Sequence, residues 1–436
     1  MAHGKLHGAD VGVNAISTDS RTIFSGELFV ALEGENFDGH EFINEKMENI
    51  ARAVFVHKPV TTCLPGVLVD DTLQGLSRWA QAWRNKVAPK LVAVTGSNGK
   101  TTVKQMLTSV LSQAGDTCST QGNLNNHIGV PLTLLSLRHG DQYAVIEMGA
   151  NHFGEIDHLS QLAQPDVAII TNAGPAHLEG FGSVAGVAEA KGEIFNGVKP
   201  SGIAVLNADD EFINVWREKT KHLQVITFGF SSNANVQGLI EKGDSFVINL
   251  GGETLGVNLP MPGKHNKSNA LAVAAAAYKL GIDSKHIKQG LENALSAKGR
   301  LQSMVGAHGA TIIDDTYNAN PASLQSAIEV LCSQSKEPWL VLGDMGELGT
   351  NAEAIHEQIG RQAKSAGVKK LFCLGVLSKY AAESFGQYGY HFNCHDELSR
   401  ALCQQVGPNC CILVKGSRAM HMEDVVNHLV NVEMVH

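Results

Sequence analysis

Lys100 and Thr101 are the residues whose types and spacing most plainly suit chemistry. They sit in the stretch Thr95-Gly96-Ser97-Asn98-Gly99-Lys100-Thr101-Thr102. Leu91 to Val94, just before it, predict a short buried strand. Val103, Met106, Leu107 and Val110, just after it, recur at helical spacing. Strand, small-residue loop and a helix opening on Lys-Thr together make a phosphate cradle. Backbone N–H groups converge on an anion there, and the helix dipole favours negative charge. Lys100 is expected to reach the β and γ phosphates of a nucleotide, and the Thr101 hydroxyl to offer Mg²⁺ a hard oxygen. The loop is a shortened form of G-x-x-x-x-G-K-[ST], because Val94 stands at the first glycine position.

Other polar residues fall at the ends of apolar runs. Glu147 closes YAVIE, and His177 lies in NAGPAHLEGFGS just after DVAIIT. In a parallel sheet the C-terminal ends of strands are where ligands bind, so Glu147 is a candidate second Mg²⁺ ligand. Asn125 and Asn126 offer amides in a glycine-bounded loop, and Lys191 lies on the run Val184 to Phe195. Asn266 and Asn269 open an alanine-rich helix, where an amide can face a base or cap the helix. Near the start, Ser17 to Arg21 put hydroxyls, a carboxylate and an arginine on one loop, and arginine can fork a phosphate. GENFDGHEF is a second polar loop of that kind.

The elements that must position these groups alternate along the chain. Up to about residue 85, strands are expected at Phe29 to Leu32, Ala53 to His57 and Val67 to Val69, and helices at Phe42 to Asn49 and Thr72 to Trp83. Ala88-Pro89-Lys90 reads as a linker. Strands and helices then alternate, which implies a mostly parallel sheet covered on both faces, with a β-rich patch to about Leu259. Beyond Lys298-Gly299-Arg300 the pattern restarts. TIIDD, WLVLGD, KLFCLG, YHF and CILVKGSR read as strands, separated by helices from about Ala322, Glu353, Lys379, Asp396 and Met420. Asp314-Asp315, Gly343-Asp344 and Lys415 to Arg418 then share one rim of a third α/β unit.

A chain of 436 residues exceeds one ordinary core, so two or three domains are expected. Hydrophobic content of 43% and charged content of 18% describe a soluble globular protein. No apolar run suffices for membrane insertion, and MAHGKLHGAD lacks the apolar core of a secretory signal. A net charge of −9 without a basic run disfavours nucleic acid as a partner. Eight cysteines without C-x-x-C spacing fit reduced thiols in the cytoplasm.

The motifs stand in one order: TGSNGKTT, NAGPAH with Lys191 fourteen residues past His177, HNKSN, Gly299-Arg300 and IDDTYNANP. Over nearly the whole chain this set resembles the Mur ligases, ATP-dependent enzymes of bacterial cell-wall synthesis. IDDTYNANPASLQSAIEVL, VLGDMGELG, GNLNNHIGVPLTLL and VKGSRAM most resemble the branch that joins D-alanyl-D-alanine to UDP-N-acetylmuramoyl-tripeptide. The resemblance implies an α/β fold of three domains: 1–87 for the UDP substrate, 88–299 with a central P-loop ATPase-like parallel sheet for ATP, and 300–436 as a Rossmann-like doubly wound domain. It also implies ATP and Mg²⁺ as cofactors and a cytoplasmic monomer.

Residue by residue, the resemblance gives Thr95 to Thr102, Asn269, Arg300 and Asp315 to ATP, with Asp315 reaching the ribose. It gives Thr101, Glu147, His177 and Lys191, the last as a carbamate, to metal. Ser20 and Arg21 fall where the family binds uridine diphosphate, and Asn125 and Asn126 where it meets the muramoyl group. Lys415 and Arg418 are candidates for a substrate carboxylate. The family's G-x-L-x-G stretch, here Gly4 to Gly8, normally follows another strand and helix, so a slightly incomplete first domain is expected. Rival readings are the sister ligase adding the third amino acid, a folylpolyglutamate synthase, and, from another class, a P-loop switch or transport ATPase. The switch explains Lys100 and Thr101 but not a third α/β unit with its own polar rim, and the guanine-reading N-K-x-D is replaced by NKSN.

Overall fold

The computed structural model describes residues 2–241 and 245–431; the last five positions of the expected third domain lie outside them. Three large sheets follow one another along the chain, and a two-stranded antiparallel pair, Glu33–Gly34 with Phe37–Asp38, stands apart from them. The first runs Lys5–His7, Gly66–Leu68, Ala53–Val56, Leu28–Val30 and Ile16–Ser17 across its width, parallel except for the edge strand Lys5–His7. The expected helix from Phe42 to Asn49 is instead a 3₁₀ turn, Gly39–Phe42, and one helical turn, Glu45–Glu48. Asn44 breaks them apart: it is extended, and its side chain accepts from Met47 N as a new N-cap.

Thr72–Val87 forms a helix one turn longer than its periodicity indicated. Leu76 packs into the first domain's core, while Ala80 and Trp83 pack into the central one. Trp83 Nε1 donates to Leu137 O at 2.9 Å. Ala88 ends the helix in the left-handed region, φ +53°, and the strand Lys90–Thr95 begins two residues on. The expected linker is thus a tight turn.

The central sheet has nine strands in the order Glu253–Val257, Phe246–Leu250, Val236–Ile240, Gln224–Gly229, Ile203–Asn207, Val167–Ile170, Lys90–Thr95, Tyr143–Glu147 and Thr117–Ser119. It is parallel from Thr117–Ser119 to Val236–Ile240. The β-rich patch adds the last two strands as antiparallel hairpins. Leu91 to Val94 are wholly buried because both faces are covered. Val92 and Val94 point to one face, beneath the helices Lys100–Leu111 and Lys264–Lys279; Leu91 and Ala93 point to the other, beneath Glu155–Ala163 and Val184–Gly192. Ala270 to Ala277 are fully buried. Their small side chains let that helix lie close to the sheet, which brings its first turn beside the phosphate loop.

The third sheet runs Gln302–Val305, Thr311–Asp315, Cys410–Lys415, Glu337–Gly343, Lys370–Leu374 and Gly389–Phe392, parallel except at its first strand. Pro321–Gln334 and Ala352–Ala366 cover one face, His395–Cys403 and Glu423–Asn431 the other, which is the doubly wound arrangement. The last helix begins at Glu423, not Met420, because Arg418–Met420 form a 3₁₀ turn ended by His421 at φ +46°. Asp315 pairs in register with Lys415, and Leu342 with Lys415 on the other side, so the three polar strand ends do share a rim. Among the described residues, no helix is long and apolar enough to cross a membrane.

Candidate active site

The phosphate loop is shaped by its neighbours. Gly96 has φ +147°, and a Cβ there would fall 1.9 Å from Thr171 Oγ1. Gly99, φ +83°, caps the helix Lys100–Leu111, and a Cβ on it would fall 2.4 Å from Asn269 Oδ1. Asn269 therefore packs on the loop, and Gly263 takes the helix-capping position. Thr95 Oγ1 donates to Met148 O at 2.8 Å. The NAG stretch after Val167–Ile170 holds the other side. Asn98 N donates to Asn172 Oδ1 at 3.0 Å, Thr171 Oγ1 donates to Asn98 O at 2.6 Å, and Ser97 Oγ donates to Gly174 O at 3.0 Å. Asn172 had no separate signal in the sequence beyond its place in NAGPAH.

Lys100 Nζ donates to Gly96 O at 2.6 Å, curling over the loop. Burial lowers its pKa, opposed by nearby Glu147. Glu147 is buried at the end of its strand. Its Oε1 accepts from Asn125 Nδ2 at 2.9 Å and from Thr101 Oγ1 at 3.3 Å. Its Oε2 is buried and accepts no hydrogen bond, although Lys104 Nζ lies 3.3 Å away. A buried carboxylate oxygen that makes no hydrogen bond and has only an ion-pair contact to Lys104, beside a threonine hydroxyl, fits a hard divalent cation. Asn125 thus orients Glu147, and Asn126 Oδ1 accepts from Ile128 N and Gly129 N at the start of the helix Gly129–Leu135. Lys104, one helical turn after Lys100, was hidden in the sequence because a lysine there reads as a solvated face.

His177 takes φ +54°, and its Nδ1 lies 2.7 Å from Glu347 Oε2, a residue of the third domain. Burial lowers its pKa; Glu347 opposes this, while Lys100 and Lys191 add to it. Lys191 is 1% exposed, with Nζ 5.4 Å from the centroid of the Phe181 ring. Burial first, then Lys100, pull its pKa down to about 7. Among the described residues no three His, Cys, Asp or Glu side chains gather as a metal cluster. His177 and Glu147 therefore do not by themselves form one.

The third domain meets the loop directly. Asn320 caps the helix Pro321–Gln334 through Oδ1, and its Nδ2 donates to Asn98 Oδ1 at 2.8 Å. The Arg300 guanidinium lies 4.2 Å from the centroid of the Tyr317 ring, and its buried Nε has no partner. A cleft of about 680 Å³ opens between the two domains. Lys100, Thr101, Glu147, His177, Asn125, Asn126, Arg300 and Arg418 line it. A neighbouring pocket of about 340 Å³ is lined by Gly99, Thr102, Asn269, Arg300, Asp315 and Lys415.

Lys415 was expected near a substrate carboxylate. It is instead buried, with Nζ 2.5 Å from Asp315 Oδ2 and 2.9 Å from Asn318 O. Burial lowers its pKa and Asp315 opposes that. Asp315 Oδ1 accepts from Leu301 N at 3.2 Å. Arg418 is mostly exposed, with Nη1 2.8 Å from Glu423 Oε1. Asp344 serves the fold, accepting from Val376, Leu377 and Ser378 N at the start of the helix Ser378–Phe385. Ser20 and Arg21 stand apart from the cleft. Arg21 is 86% exposed and forked by Asp19, which it holds near a pKa of about 2.

Family models match all three parts of the chain: "Mur ligase family, catalytic domain" over residues 12–84, "Mur ligase middle domain" over 94–277, and "Mur ligase, glutamate ligase domain" over 299–418. The UDP-N-acetylmuramoyl-tripeptide–D-alanyl-D-alanine ligase of Escherichia coli is 42% identical, across 98% of this chain and 96% of its own length. A crystal structure of MurF from Acinetobacter baumannii superposes with a TM-score of 0.91 at 37% identity, covering 98% of this chain and 96% of that one. MurF ligase from Thermotoga maritima in complex with ADP gives 0.82 at 28% identity, covering 97% and 98%. With the glycine loop, the strand-end carboxylate and the third-domain rim in place, and each part matched in order, the chain belongs to the Mur ligase family.

Proposed function

We propose that this chain joins D-alanyl-D-alanine to UDP-N-acetylmuramoyl-tripeptide at the expense of ATP. The observation that carries the reading is the cleft in which Lys100 of the phosphate loop faces the third domain's rim. A switch ATPase needs no such second wall. The match to the E. coli tripeptide–D-alanyl-D-alanine ligase supports the choice of substrates.

The geometry suggests how the residues act. ATP lies with its phosphates in the loop, and its nucleoside end in the pocket lined by Asn269 and Asp315. The tripeptide's terminal carboxylate attacks the γ-phosphorus, the bond to the β-phosphate oxygen breaks, and ADP leaves. The dipeptide amine attacks the resulting acyl phosphate, phosphate leaves, and the nitrogen gives up its proton. Lys100 and Arg300, which both line the cleft, would meet the negative charge that spreads over the phosphoryl oxygens. Thr101 and Glu147 would hold a magnesium ion, which when bound supplies further positive charge there. Asn320, bonded to Asn98, ties the third domain to the loop so that water is kept from a hydrolysable intermediate.

Lys191 enters as a carbamate. Its amine is partly neutral near pH 7 and makes no hydrogen bond or ion pair with a described residue. The nitrogen can add carbon dioxide, losing a proton and gaining two oxygens beside His177. The uridine diphosphate end is assigned to the first-domain loop of Ser20 and Arg21, and eight free cysteines fit a reducing, cytoplasmic setting. Phosphate release decides the substrate question. It should appear with UDP-muramoyl-tripeptide plus D-alanyl-D-alanine. Release instead with UDP-muramoyl-dipeptide plus a diamino acid would assign the chain to the sister activity.

A further inference from the structure

An amino substrate arrives as an ammonium ion, and the cleft is poorly suited to one at first sight. Lys100, Arg300 and Arg418 all line it, and each would repel a cation. Three carboxylates line it as well: Glu147, Glu155 and Glu347. Two of them are already engaged by the fold. Glu147 takes Asn125, Thr101 and the ammonium of Lys104. Glu155 Oε2 accepts from Asn151 N at 2.7 Å and His152 N at 3.2 Å, fastening its own loop.

Glu347 differs. Among the described residues its side chain has one partner, His177 Nδ1, and an imidazole is not a permanent cation. The Glu347 side chain is 58% exposed and lines the cleft. Its backbone is held at φ +61°, an uncommon conformation for a side-chain-bearing residue, between Gly346 and a Gly349 that is also left-handed. Such a conformation persists where its surroundings enforce it, often at a ligand site. The turn brings an acid of the third domain to the central domain's His177, on the cleft wall.

We propose that Glu347 is the receptor for the ammonium group of the amino substrate, holding the dipeptide's N-terminus in the cleft while Arg418 faces its carboxylate. The proposal rests on the ligase reading above. Glu347 also becomes a specificity residue: it favours acceptors with a free amine over isosteres without one.

Glu347→Gln removes the charge at an exposed turn and keeps its shape. KM should be measured separately for D-alanyl-D-alanine, ATP and UDP-muramoyl-tripeptide, together with inhibition by D-lactoyl-D-alanine, in which hydroxyl replaces the amine. The KM for the dipeptide should rise about tenfold or more, the other two should stay within about twofold, and the hydroxyl analogue should inhibit both proteins equally. Glu347→Asp should recover part of the loss. A dipeptide KM that does not move overturns the proposal. So does a parallel rise in all three KM values, which would mark the pair with His177 as a domain latch only. So does an equal weakening of the hydroxyl analogue. If the wild-type protein does not ligate the dipeptide at all, the ligase reading fails, whereas wild-type ligation with an indifferent variant removes Glu347 alone.

Discussion

Replacing Lys191 with methionine should stabilise the protein while abolishing its activity. The side chain is 1% exposed, and its pKa falls from 10.5 to about 7, chiefly through burial and then through Lys100. On unfolding the amine returns to its ordinary value. A lowered lysine pKa means that the unfolded chain binds the extra proton between the two values. The folded state is therefore penalised in full below pH 7, progressively less as pH rises toward 10.5, and not at all above it. A displacement of that size corresponds to roughly 4–5 kcal/mol at most, and relaxation around the site brings the working figure to a few kcal/mol. Methionine keeps most of the length and packs against Phe181 without a charge. For a domain of this size a few kcal/mol raises Tm by roughly 5–10 °C. Calorimetry in CO₂-free buffer at pH 7 and pH 10 measures it. The variant should be clearly more stable at pH 7, with the gap nearly closed at pH 10. No gap at pH 7, or a gap that ignores pH, would refute the reasoning.

Three further outcomes follow from the same geometry. Lys100→Ala should lower turnover by on the order of 10³ or more with an unchanged circular dichroism spectrum, since its charge acts on the phosphoryl group; near-normal turnover would remove the phosphate-loop reading. Gly96→Ala places a Cβ 1.9 Å from Thr171 Oγ1, so ADP affinity, read by calorimetric titration, should drop by about tenfold or more; unchanged affinity would show that the loop tolerates the shift. Lys191→Ala should be nearly inactive yet partly restored by short carboxylic acids, whereas Lys191→Arg should stay inactive; an active Arg variant would exclude the carbamate.

Much of the scaffold was legible because its elements are local and periodic. Tyr143–Glu147 and Ile203–Asn207 begin and end where their apolar runs do, and the phosphate loop carries its strand and helix with it. Glu147 was visible as a strand-end carboxylate. The helix Gly129–Leu135 carried no such signature, because seven residues with Pro131 inside are too short to show a period. Strands of two or three residues, such as Ile16–Ser17 and Lys5–His7, are likewise fixed by partners far along the chain and not by their own sequence. The pairing of His177 with Glu347, and of Asn98 with Asn320, joins separate domains, and no local pattern encodes it. Lys415 misled for the opposite reason. Its position at a strand end resembled a ligand site, but burial drove it onto Asp315.

The most direct test of the ligase account follows oxygen. UDP-muramoyl-tripeptide labelled with ¹⁸O in its terminal carboxylate is turned over with ATP and D-alanyl-D-alanine, and nucleotide and phosphate are analysed by mass spectrometry. The account predicts ADP, with one labelled oxygen carried into the released phosphate and formation of product dependent on the dipeptide. AMP with pyrophosphate, or phosphate free of label while the pentapeptide product forms, would contradict it.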